Sequence, residues 1–120
     1  MTSEERTAYM LLSQYRSMAS RVRELEERRT RCRSTPVGGG RTAHIGELYT
    51  MALSDATGKL EKIIQTIDRM GSEQHKRVLE LRYIDGRSWT AIGERMHVSR
   101  TTLHRLHIGA LKDFYSCYNP

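Results

Sequence analysis

Cysteine is scarce in this sequence: Cys32 and Cys117 stand far apart and form no Cys-x-x-Cys pair. That excludes a disulfide framework and predicts free thiols. The N-terminus, Met1-Thr2-Ser3-Glu4-Glu5, lacks the apolar core of a signal peptide, so a cytoplasmic protein is expected. No apolar run approaches the roughly 20 residues a membrane span needs, and no membrane partner is expected. Alternating and β-branched runs are also few, which argues against a sheet.

Catalytic signatures are missing as well. There is no Ser-His-Asp set and no paired carboxylates, and Gly38-Gly39-Gly40 has neither a following Lys-Ser nor a preceding strand to make a phosphate loop. His104 and His107 lie three apart on one predicted helix, yet with Cys117 they lack a fourth ligand at suitable spacing for zinc. The expectation is a protein that is not an enzyme, with no catalytic residues, no metal and no cofactor.

What the sequence does have is positive charge. Twenty Lys and Arg against fourteen Asp and Glu give +6 and a pI near 9.7, which favours an anionic partner without specifying a fold. The excess sits at the two ends. Residues 1–43 hold nine Arg against five acids, 44–71 three basic residues against four acids, and 72–120 eight against five. The chain length, 120 residues, suits one compact domain or a small domain with a helical extension.

From Ala8 the apolar residues recur as Ala8, Leu11, Tyr15, Met18, Val22 and Leu25, the spacing of one stripe along a single long helix. The basic run Arg28-Arg29-Thr30-Arg31-Cys32-Arg33 reads more readily as a solvated helix end than as a second nucleic-acid contact. Ser34-Thr35-Pro36-Val37-Gly38-Gly39-Gly40 then predicts a loop, placed at about 34–43. A second stripe follows, Ile45, Tyr49, Ala52, Ala56, Leu60, Ile63, Ile67 and Met70, with Gly71 as its stop. Two such helices joined by a flexible loop pair antiparallel. A hairpin packed on its own chain and a coiled-coil arm for self-association both satisfy the pattern.

Ser72 is an N-cap candidate, and Val78, Leu79, Leu81, Arg82 and Ile84 continue a helix up to the Asp85-Gly86 turn. Ser88 caps a short helix with Ala91, Ile92 and Met96 on its apolar side. Ser99 caps another, carrying Leu103, Leu106, Ala110, Leu111 and Phe114. Two short helices crossing steeply need a small residue where they touch, and Gly93 supplies it. Ile92, Met96, Val98, Leu103 and Leu106 fall where both helices and the one before must share a core. Arg100, Thr101, His104 and Arg105 then face outward on the N-terminal half of the last helix, where a recognition helix presents side chains to base edges. No acid interrupts Arg95 to Lys112, a stretch that also carries Arg100 and Arg105.

The run Leu81-Arg82-Tyr83-Ile84-Asp85-Gly86-Arg87-Ser88-Trp89-Thr90-Ala91-Ile92-Gly93, followed by Val98-Ser99-Arg100-Thr101-Thr102-Leu103 and Ala110-Leu111, resembles the fourth region of bacterial sigma factors. The resemblance covers residues 75–114 specifically and 1–71 weakly. The whole chain looks like the small sigma-like regulators of phages of Gram-positive bacteria, the RinA and ArpU late activators. It implies a helix-turn-helix that reads promoter DNA, with RNA polymerase as a second candidate partner. Carried over residue by residue, Arg100, Thr101, His104 and Arg105 are base-reading. Arg87, Ser88, Trp89 and Thr90 are placed to meet phosphates, as are Ser99, Thr102 and Lys112, although for Trp89 an anchoring role in the core outweighs DNA contact.

Two departures stand out. His97 occupies the turn position that glycine usually fills, which requires a left-handed or nearby conformation, and nothing resembles the sigma region that binds the −10 element.

The expected architecture is therefore all-α. A long N-terminal helical hairpin over 1–71 serves self-association or partner contact, and a three-helix DNA-binding domain follows over 72–120. The expected function is sequence-specific regulation of late phage genes, as a homodimer through residues 1–71 bound to double-stranded DNA, in the host cytoplasm if phage-encoded. The alternative is a small terminase subunit that recognises phage DNA for packaging.

Overall fold

The computed structural model describes residues 1–34 and 40–118, with the side chains of 1–31 and 46–118. The described residues are mostly helical, with no strand among them. In chain order they form α1 (Ser3–Ser13), α2 (Tyr15–Ser34), α3 (Gly40–Arg69), α4 (Glu73–Leu79), α5 (Trp89–Met96) and α6 (Arg100–Tyr118). A π-helical turn, Glu80–Ile84, continues α4. The chain divides into two compact units, one of Met1–Arg16 with Lys62–Pro120 and one of Ser17–Glu61.

In the first unit, α1 begins at a capping box. Thr2 Oγ1 accepts the Glu5 N–H at 3.2 Å, and the Glu5 carboxylate accepts the Thr2 N–H at 3.1 Å. Ala8 and Leu12, one turn apart, are fully buried as α1 packs on α6. That packing corrects the single stripe expected over Ala8–Leu25. The helix breaks at Gln14, and Leu12 rather than Leu11 is the buried residue. Neither proline nor glycine stands at the break, and a 3–4 spacing continues across it, so periodicity alone does not register it. The sequence division at Gly71 also differs from the packing. Residues 1–16 and the last turns of α3, with Ile63, Ile67 and Met70 buried, share a unit with residues 72–120.

The end of α4 widens where the sequence suggests a plain helix up to Asp85. Asp85 N–H reaches back to Glu80 C=O at 2.9 Å, and Arg87 N–H to Leu81 C=O at 2.9 Å. Gly86, at φ +72°, makes the left-handed step that closes this turn.

The second unit is a helical hairpin of α2 and α3. Its only buried apolar side chains among the described residues are Leu25 and Leu53, at 3% and 7% exposure. The expected stripe named Ala52, which is exposed; its neighbour Leu53 is the buried one. Surface ion pairs decorate the unit, Arg28–Glu24 at 2.7 Å, Arg21–Glu24 at 3.4 Å and Lys59–Asp55 at 3.5 Å. Of the loop expected at 34–43, Ser34 is in α2 and Gly40 already in α3, while residues 35–39 lie outside the described residues, as does the Cys32 side chain. Cys117 is a free, half-buried thiol.

Candidate nucleic-acid interface

Three serines set the helix starts. Ser72 Oγ accepts the His75 N–H at 3.3 Å, Ser88 Oγ the Ala91 N–H at 3.2 Å, and Ser99 Oγ the Thr102 N–H at 3.2 Å. Each satisfies one of the orphan donors of its first turn. Between α5 and α6 the chain turns at His97, φ 57° and ψ 45°, the left-handed conformation that the missing glycine implied. His97 N–H donates to Glu94 C=O at 3.3 Å and Val98 N–H to Gly93 C=O at 3.1 Å, which closes the end of α5.

The core beneath this turn is the expected one. Val78, Leu81, Ile92 and Leu103 are buried together, with Trp89, Met96, Val98 and Leu106 packed against them. Gly93 is less tight than predicted, since a Cβ placed there would lie 3.4 Å from the Val98 carbonyl oxygen, an ordinary contact distance.

With Leu103, His107, Ala110, Leu111 and Phe114 buried on one side of α6, the other side belongs to solvent. Arg100, Thr101, His104 and Arg105 are all exposed there, on one face and within the first two turns. Ser99 and Thr102 are exposed beside them, with the Ser99 hydroxyl donating to Thr102 Oγ1 at 3.0 Å. Arg87, Ser88 and Thr90 are exposed at the start of α5. An open groove of about 550 Å³ runs between the two helices, with Thr90, His97 and Arg100 on its lining. Lys112 lies elsewhere. It sits roughly 18 Å along α6 from Arg100 at 1.5 Å per residue, and its ammonium is 3.5 Å from the Glu5 carboxylate of α1. The Thr2 N–H and then Lys112 hold the Glu5 carboxyl below its usual range.

Behind the exposed face is an aromatic cluster that the sequence reading did not assemble. The Tyr83 hydroxyl and His107 Nε2 share a hydrogen bond of 2.6 Å. The Trp89 ring meets the His107 ring edge-on at 4.6 Å, and the Arg82 guanidinium stacks over Trp89 at 4.6 Å while donating to the Arg87 carbonyl at 3.0 Å. Burial, with smaller contributions from the positive charges of His104 and Arg82, pushes the His107 pKa down to about 4, so the ring is neutral at pH 7. Burial likewise raises the Tyr83 phenol above its ordinary value. The signal was legible in principle: His107 follows Leu103 by four and precedes Ala110 and Leu111 by three and four, so it falls on the buried stripe. Trp89 is accordingly half-buried and packed into this cluster.

Among the described residues, no group of three or more His, Cys, Asp or Glu could hold a metal ion, and no helix is long and apolar enough to cross a membrane. No curated protein and no solved structure matches the chain. Residues 72–113, about a third of it, match the family model of sigma-70, region 4. The match spans α4, the π-helical turn, α5 and nearly all of α6 up to Asp113, so that this part of the protein is a sigma-70 region 4-like, DNA-binding helix-turn-helix.

Proposed function

We propose that the protein is a sequence-specific transcription regulator of the phage late-activator type, which acts by binding promoter DNA rather than by catalysis. The observation that carries this is the exposed face of α6. Arg100, Thr101, His104 and Arg105 project from the N-terminal half of the second helix of a helix-turn-helix, and among the described residues neither arginine forms an ion pair with a carboxylate. A guanidinium in that position can make two parallel hydrogen bonds to O6 and N7 of guanine, while Thr and His hydrogen-bond more permissively. The exposed residues at the start of α5, Arg87, Ser88 and Thr90, meet the flanking phosphates and fix register without reading sequence.

In this reading the protein works in the cytoplasm, where DNA and RNA polymerase are, and the hairpin joins two copies so that two readers engage paired half-sites. Arg105→Ala is the deciding variant. Losing a bidentate contact removes about 1–3 kcal/mol of discrimination, so the ratio of specific to random-sequence affinity should fall by about fivefold or more in gel-shift titrations against DNA flanking the gene. An unchanged ratio removes Arg105 from base reading. Footprints at packaging sites by a ring-shaped oligomer, in place of promoter footprints by a dimer, would move the assignment to a small terminase subunit.

A further inference from the structure

We propose that Arg16, at the start of α2 and outside the region 4-like segment, is a DNA-phosphate contact that extends the reader's footprint beside the recognition helix. The proposal rests on the DNA-binding reading above and adds to it a residue from the N-terminal part of the chain.

Three observations place Arg16 there. Its guanidinium lies against Gly86, so closely that a Cβ at that position would collide with it. Arg16 therefore sits on the turn that leads through Arg87 into the Ser88 cap of α5, the part of a helix-turn-helix that meets the backbone. Second, Arg16 lines an open groove of about 470 Å³ together with Arg82, Trp89 and His104. A neighbouring groove of about 280 Å³ shares Trp89 and His104 and reaches Arg100. The two make one continuous surface from the base-reading face of α6 to Arg16. Third, no carboxylate lines either groove, and Arg16 is exposed, with neither an ion pair nor a hydrogen bond to any described residue. The uncompensated guanidinium groups of Arg100, Arg82 and Arg16 along this surface match a ligand with regularly spaced negative charge. Duplex DNA presents one charge about every 1.7 Å of its axis, and its backbone runs alongside any helix seated in the major groove.

Gly86 fits the same picture from the other side. Its positive φ already disfavours an L side chain. Its bare Cα is also what leaves room for the guanidinium against the turn.

The test compares full-length protein with R16A and R16K in titrations against the specific duplex and a random duplex over a range of salt. Each neutralised phosphate contributes about 0.9 to the slope of log affinity against log salt. R16A should lower that slope by about 1 on both duplexes and weaken both about three- to tenfold, leaving their ratio unchanged, and R16K should restore the slope. Thermal unfolding identifies a merely structural role, in which R16A lowers the melting temperature and R16K restores neither stability nor affinity. That outcome overturns the proposal, as does a wild-type slope and affinity in R16A while R100A still weakens binding. A full-length protein that binds neither duplex sinks the DNA-binding reading itself, and the proposal with it.

Discussion

The two units of this protein hold themselves together by different means. In residues 1–16 and 62–120, buried side chains come from every helix. Ala8 and Leu12 come from α1, Ile63 and Ile67 from α3, Val78 and Leu79 from α4, Ile92 from α5, and Leu111 and Phe114 from α6, each at or below 2% exposure. Among the described residues of 17–61 two leucines are buried, and Leu48 and Met51 are exposed at 52% and 69%. Charge pairs on the surface there contribute little, typically below about 1 kcal/mol each. The first unit is thus a domain in the energetic sense. The second is a pair of helices with few buried apolar side chains among its described residues. Because α1 belongs to the first unit, the fold of the reader depends on residues some sixty positions before the segment that defines its family.

That dependence yields the largest expected effect. Leu12→Ala removes a side chain with 1% exposure from the α1–α6 contact and should cost the first unit about 2–5 kcal/mol. Urea unfolding followed by tryptophan fluorescence reports it, since Trp89 lies in the same unit. An unshifted midpoint would mean that residues 72–120 stand without α1, and would restore the division at Gly71.

Acid should also act on the first unit. His107 has an ordinary imidazole pKa near 6.5 when unfolded and one of about 4 when folded. Between those values the unfolded chain binds more protons, so stability is complete above about pH 6.5 and declines as pH falls toward 4. The slope is at most about 1.4 kcal/mol per pH unit, on the order of 3 kcal/mol across the window. His107→Gln removes the titration while leaving a group able to hydrogen-bond Tyr83. The difference between wild type and this variant should therefore vary with pH inside the window and level off above it. A pH-independent difference would show that the ring is not held neutral by burial.

Leu53→Ala probes the other side of the comparison. It should cost about 2 kcal/mol, the low end for a buried leucine, because a side chain at 7% exposure among few other buried ones has fewer contacts to lose. Hydrogen exchange should accelerate in residues 17–61 while 62–118 keep their protection. Loss of protection in both regions would mean that the units unfold together.

Much of this was readable in the sequence, and the boundary between what was and what was not is physical. The caps Ser72, Ser88 and Ser99, the left-handed His97 and the shared core of Ile92, Met96, Val98, Leu103 and Leu106 all follow from local rules, because turn chemistry and helical period act within a few residues. The outward face of Arg100, Thr101, His104 and Arg105 follows for the same reason: once one side of α6 is apolar, the other must be wet. The contacts that escaped are those between distant segments. Lys112 looks like a phosphate contact in an acid-free run, yet Glu5 lies beside it from more than a hundred residues away. Arg16 belongs to a helix with no motif, and only the fold brings it to Gly86. The break at Gln14 preserves the spacing on both sides, so a pattern based on period passes over it.

The smallest effects come from glycines, and they sharpen the comparison because the same substitution meets different surroundings. Alanine gains roughly 1 kcal/mol over glycine inside a helix. Gly58 in the second unit has nothing within 4 Å of an added Cβ, so Gly58→Ala should realise the whole gain. Gly93 would place its Cβ 3.4 Å from the Val98 carbonyl oxygen and 3.8 Å from Leu103 Cδ2, so Gly93→Ala should realise most of it. Gly109 is different, for its Cβ would lie 2.8 Å from His75 Nε2. The ring must move, and its 3.2 Å contact with Asp113 is lost or rearranged. Because that pair is partly exposed, at 25% and 27%, its loss should roughly cancel the gain and leave Gly109→Ala near neutral. The expected order of stabilisation is Gly58→Ala, then Gly93→Ala, then Gly109→Ala, read by chemical denaturation with exchange protection to assign each change to its unit. If Gly109→Ala stabilised as much as Gly58→Ala, the packing of α4 on α6 would be looser than the His75–Asp113 contact implies. If Gly58→Ala stabilised nothing, helix propensity would not limit the stability of the second unit.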